Sequence, residues 1–112
     1  MRDDRERLKD ILKATGHILA KTGDGLQALG ADEMLQVWVL HHLQIIGEAA
    51  RSLSQEFRQR HPDQVWAEAA GLRNILVHHY FEIDADEVWK VVENDLAPLR
   101  DRVVQILEDE RP

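Results

Sequence analysis

Arg73-Asn74-Ile75-Leu76-Val77-His78-His79-Tyr80 sets a guanidinium, an imidazole and the only tyrosine of the chain within about two helical turns. Read at about 100° per residue, Tyr80 returns over Arg73 at i+7, and Asn74 and His78 share an edge at i+4. Ile75 and Leu76 then turn the other way, toward a core. The spacing predicts a helix that buries one side and lines up Arg73, Asn74, His78 and Tyr80 on the other. Those are parts for handling a phosphate: a fixed fork of donors, a group titrating near neutrality, and a phenol.

The segments on either side read as helices too. Leu8, Ile11, Leu12, Ile18 and Leu19 recur at three- and four-residue steps, which predicts an amphipathic helix from Arg5 to about Lys21. Gly23, Gly25 and Gly30 mark a loop. A longer helix is expected from about Asp32 to Arg60, with Leu35, Trp38, Ile45, Ile46, Ala49, Leu53 and Phe57 on one face, stopped by His61-Pro62-Asp63. A short helical piece from about Gln64 to Ala69 leads through Gly71 into the motif helix, which is expected to end near Tyr80-Phe81. Asp84, with Glu87 three residues on, reads as an N-cap with a capping box and opens a last helix through about Glu108. That helix buries Val88, Val92, Leu99, Val103, Ile106 and Leu107, and Pro98 is expected to kink it because it lacks an N–H donor. No stretch alternates as a strand does. The expectation is an all-α antiparallel bundle of four main helices plus a short fifth, one domain over residues 1–112.

A chain of 112 residues with 44% hydrophobic residues suffices for a single core. Zero cysteines exclude disulfides, thiolate nucleophiles and Cys-based zinc sites, and agree with a reducing cytoplasm. No apolar run approaches about 18 residues, so a soluble, cytoplasmic protein without membrane partners is expected. The formal net charge of −7 argues against a general nucleic-acid coat, since such affinity comes from many Lys and Arg contacts to phosphate. Any RNA contact is therefore local, and Arg51, Arg58, Arg60 and Arg73, with several histidines, are candidates for a positive cleft.

Each singled-out residue also has an ordinary reading. On spacing alone an arginine at position 73 is more often a salt-bridge partner for one of the many carboxylates, and a histidine on a helix is more often a surface or core residue. His41-His42 and His78-His79 form no metal set, because adjacent helical residues diverge by about 100° and no H-x3-H or carboxylate partner stands at ligand spacing; no metal or other cofactor is expected. His42 fits a hydrogen-bonded core histidine, with His41 and Glu48 at the edge of that face at i+7, as supports of a cleft or a structural pair. Trp38, Trp66 and Trp89 fit core packing better than base stacking.

Arg73, His78 and Tyr80 match the R-x4-H-x-Y signature of the HEPN superfamily, and the flanks resemble its HepT-like toxin branch. Met1-Arg2-Asp3-Asp4, Ile45-Ile46-Gly47-Glu48-Ala49, Trp66 with Gly71-Leu72-Arg73-Asn74, and Val88-Trp89 followed by Glu93-Asn94-Asp95-Leu96 follow that branch's pattern in order. The position between the motif His and Tyr, commonly Asp in these toxins, is His79. The resemblance implies the HEPN helical bundle and a metal-independent endoribonuclease, the toxin of a type VII toxin-antitoxin system. Its catalytic residues would be Arg73 and His78, supported by Asn74 and His79, in a cleft between the protomers of a homodimer. It further implies an RNA substrate and a partner MntA-like nucleotidyltransferase antitoxin that transfers AMP to Tyr80. A second reading, kept open by His79, is a catalytically silent HEPN module that binds nucleotide and docks on a nucleotidyltransferase.

Overall fold

The computed structural model describes residues 3–78 and 84–110, the side chains of residues 73–78 excepted. Seven helical segments make up the described residues: α1 (Asp4–Lys21), α2 (Gly25–Ala31), α3 (Glu33–Arg51), α4 (Gln55–Arg60), α5 (Gln64–His78), α6 (Ala85–Asn94) and α7 (Leu96–Asp109). This is the all-α helical bundle expected from the periodicity, with α1, α3, α5 and the α6–α7 pair as its long members. α3 lies between α1 and α5, α7 packs on α1, and the short α2 packs against α6 and α3.

α1 forms where its periodicity places it. Asp3 caps it by accepting from Glu6 N at 2.9 Å, and Leu8, Ile11, Ala14, Thr15 and Ile18 are buried along one face. The glycines after it do not make a loop throughout. Gly25, at φ 88°, starts α2, whose Leu29 is fully buried, and Gln36 Nε2 donates to the terminal carbonyls of Leu29 and Gly30 at 2.9 and 3.2 Å. Burial of Leu29 and these side-chain caps hold a helix that its glycines disfavour.

The single helix expected from Asp32 to Arg60 is two. Asp32 caps α3 through Leu35 N at 3.0 Å, but the chain turns at Ser52-Leu53-Ser54 and restarts as α4. Ser54 Oγ accepts from Phe57 N at 3.0 Å, and Arg58 Nη2 donates to the Ala50 and Arg51 carbonyls at 2.9 and 3.2 Å, satisfying both faces of the break. Leu53 and Phe57 continue the apolar period across it, which is why the sequence reads as unbroken. The core line of α3 also lies a little off the expected one. Val39, Leu40, Leu43 and Ile46 are buried, whereas Leu35, Trp38 and Ile45 pack from its margin.

Pro98 does not kink a continuous helix; the helix stops at Asn94 and α7 begins at Leu96. The proline ring would collide with the carbonyl four residues earlier, that of Asn94, so the chain yields there. Pro98 then stands in the first turn of α7, where a missing N–H costs nothing. Asp84 caps α6 as expected, accepting from Asp86 N and Glu87 N at 3.0 and 3.3 Å. α5 runs unbroken through Gly71 instead of pausing before the motif, with Trp66, Ala69 and Leu72 buried. Its expected end near Tyr80-Phe81 lies outside the described residues.

Asp4 ties the first turn of α1 to the α3–α4 corner. Its carboxylate accepts from Ser54 N at 2.8 Å and from Ser54 Oγ–H at 2.6 Å, while that same hydroxyl caps α4. Asp4→Ala should therefore lower stability by about 1 to 2 kcal/mol, since a charge-assisted hydrogen bond and the orientation of a cap are lost together. A shifted urea midpoint at unchanged slope would register it. An unaltered midpoint would mean that the corner holds without Asp4.

Candidate functional site

α5 carries the first part of the motif. Its backbone is helical through His78, so Arg73 and His78 are about 7.5 Å apart along the axis. In helical register Arg73 continues the row of the buried Trp66 and Ala69, while Asn74 and His78 continue that of Ala67 and Gly71, which are exposed and half-buried. The side chains of Arg73, Asn74 and His78 lie outside the described residues, as do His79 and Tyr80 altogether. What is described is the seat of the motif. Trp66 is pinned by Nε1–H donating to the His61 carbonyl at 3.0 Å and by Phe57 edge-on at 5.3 Å between ring centroids. α3 and α5 pack against each other, and both bury small residues: Gly47, Ala49 and Ala50 of α3 and Ala69 of α5.

Two of the arginines considered for a positive cleft have other work. Arg58 caps α3, and Arg60 pairs with Glu56 at 3.7 Å and with Glu110 at 3.4 Å. Arg51 is exposed. Glu110 reaches Arg60 from the far end of the chain through the tertiary fold, which sequence order does not reveal.

The face between α1 and α3 holds two adjoining depressions that share Asp10 and Ile45. One, of about 320 Å³, is lined by Arg7, Asp10, His41, Gln44, Ile45 and Glu48, and the Nε of Arg7 is buried there without a hydrogen-bond partner among the described residues. His41 and Glu48 both line this depression between α1 and α3. The second, of about 300 Å³, is lined by Asp10, Lys13, Ala14, His17, His42 and Ile45. His42 is a half-buried, hydrogen-bonded histidine: its Nδ1 contacts the Trp38 carbonyl at 2.8 Å, and its Nε2 meets His17 Nδ1 at 3.3 Å. The His17 contact was missed from sequence, because the pair forms between two helices. Trp66 is core, and Trp38 and Trp89 pack at its edge. Among the described residues no three or more His, Asp or Glu side chains come together as metal ligands, and no helix is long and apolar enough to cross a membrane.

An all-α bundle whose fifth helix carries Arg73 and His78, with Tyr80 two residues on in the sequence to complete R-x4-H-x-Y, has the features of the HEPN class. Residues 5–106 match the family model described as HepT-like, Ribonuclease HepT-like, and the chain belongs to this family. The protein named "Putative RNase MJ1380" of Methanocaldococcus jannaschii is 37% identical over 103 residues, covering 91% of this chain and 94% of that one. "Probable ribonuclease HepT" of Thermococcus cleftensis is 33% identical over 100 residues, 88% of this chain and 91% of its own. "Putative RNase TTE0752" of Caldanaerobacter subterraneus subsp. tengcongensis is 30% identical over 112 residues, 99% of this chain and all of its own, at 100%. No solved structure matches the chain.

Proposed function

We propose that this protein is a metal-independent endoribonuclease, the toxin of a type VII toxin-antitoxin pair, acting as a homodimer and silenced by AMP transfer to Tyr80. The observation that carries the reading is the R-x4-H-x-Y set on and after α5, in a chain whose family model matches over residues 5–106. His78 takes the proton of a ribose 2′-OH as that oxygen attacks the adjacent phosphorus, and Arg73 stabilises the added negative charge of the phosphorane. The P–O5′ bond then breaks and the leaving 5′-oxygen takes a proton, from protonated His78 or from water, leaving a 2′,3′-cyclic phosphate and a 5′-hydroxyl. The nucleophile belongs to the RNA, so no metal-bound hydroxide is needed. Asn74 orients His78 or a phosphate oxygen through its amide.

A chain with net charge −7 needs to concentrate its cations to hold RNA, and a two-fold pairing of motif helices doubles the local positive charge in one groove. An AMP on Tyr80 adds a phosphate beside Arg73 and fills the volume an RNA strand requires. Purified protein incubated with defined RNAs in EDTA should cut them and leave the ends named above. Co-expressed with a cognate nucleotidyltransferase, it should gain mass in AMP units confined to the peptide holding Tyr80, and Tyr80→Phe should block the gain. Cleavage that vanishes with EDTA and returns with a divalent ion would refute the mechanism. Absence of cleavage under all conditions, with the partner still bound, would favour the silent docking module that His79 keeps open.

A further inference from the structure

We propose that His17 of α1 and His42 of α3 form a two-histidine site for a zinc-type divalent ion that clips the two helices together. It is separate from the ribonuclease reading and does not rest on it. The geometry is the warrant. Two nitrogens held at about 2.0 to 2.1 Å by a tetrahedral zinc stand about 3.3 to 3.4 Å apart, against about 2.9 Å at a right-angled centre. His17 Nδ1 and His42 Nε2 are 3.3 Å apart.

The supporting contacts set the chemistry. His42 Nδ1–H donates to the Trp38 carbonyl at 2.8 Å, which fixes the tautomer and leaves the Nε2 lone pair on the side of His17. A backbone carbonyl on the far nitrogen is the partner that metal-bound histidines ordinarily have. Trp38 also packs against His42, with ring centroids 4.1 Å apart, limiting its rotation, and lies 6.3 Å from the His17 ring. The two imidazole planes are inclined at 56°, so His42 stays in place and the exposed His17 ring turns to bring its Nδ1 lone pair onto the ion that His42 Nε2 holds.

Without metal, His17 Nδ1–H donates to His42 Nε2. On binding, the His17 proton moves through water to its own Nε2, both rings stay neutral, and no net proton is released. His17 is exposed, so an ion reaches the pair from solvent and keeps water in its remaining positions. The other charged walls of the depression are Asp10 and Lys13, one of each sign. Sequence spacing within one helix does not disclose such a site, because its ligands come from different helices.

Zinc chloride titrated into the purified chain at neutral pH should bind at one ion per chain, shift the ring resonances of His17 and His42 and no other histidine, and raise the unfolding temperature by about 5 °C or more. His17→Ala and His42→Ala should each weaken zinc binding by at least about ten-fold, the scale at which even supporting contacts act. His41→Ala, which removes a neighbouring imidazole outside the pair, should leave it unchanged. No saturable uptake below about 1 mM zinc, or equal weakening by His41→Ala, would overturn the proposal. If His42→Ala fails to fold, His17→Ala decides: unaltered zinc affinity in that variant refutes the site.

Discussion

Arg73→Ala and His78→Ala should each lower RNA cleavage by at least about a hundred-fold. The arginine variant loses the positive charge opposite the phosphorane, and the histidine variant loses the group that moves the 2′-OH proton; each contribution is typically about 10² to 10⁴ in rate. Both variants should stay folded with the parent's light-scattering mass, because the seat of α5 is made by Trp66, Ala69 and Leu72, and neither substitution replaces any of these. His79→Ala is expected to retain more activity than His78→Ala. Initial rates on one defined RNA, with helix content and light-scattering mass checked for each variant, make the comparison. The reverse order of the two histidines would move the catalytic role to His79, and a fully active monomer would remove the need for a composite cleft.

Phe57→Ala should be among the most destabilising single changes in the chain, at about 3 to 5 kcal/mol. Phe57 is fully buried although α4 is only 6 residues long, and it touches Trp66, His61 at 4.8 Å between centroids, and the Arg60 guanidinium at 6.0 Å. A helix that short contributes little stability of its own, so this ring is what fastens the corner between α3 and α5. Against a usual total of about 5 to 15 kcal/mol, the variant would be partly unfolded at modest urea concentration. Phe57→Leu, which keeps most of the volume, should cost much less. A loss under about 1 kcal/mol for Phe57→Ala would mean that α4 is not docked as described.

The helices that sequence disclosed are those in which periodicity and a cap agree. α1 carries an apolar stripe with acidic residues in its first turn, and Asp84 announces α6 before Val88, Val91 and Val92 are buried. The breaks were hidden for a local reason. Leu53 and Phe57 hold the period through a turn, and Pro98 acts four residues ahead of itself, through the Asn94 carbonyl. α2 is helical against its composition, because Leu29 finds a pocket and Gln36 reaches back to its carbonyls. The candidate catalytic residues were legible only because Arg73, His78 and Tyr80 stand in a family pattern; their spacing alone favoured an ordinary salt bridge for Arg73. The His17–His42 contact had no linear signal, since it spans 25 residues between two helices.

Arg5 Nη1 donates to the Leu107 carbonyl at 3.4 Å, and Asp3, Asp4, Phe57, Arg60 and Glu110 line the same depression. The two ends of the described chain therefore meet at one pole, beside the corner that Phe57 closes. α5 sets out from that pole at Gln64 and travels about 21 Å before His78. Anything attached ahead of Asp3 or beyond Glu110, whether a tag or a further stretch of polypeptide, would emerge beside the start of α5 and not beside its His78 end. Immobilising the protein by either end would leave the far pole facing outward.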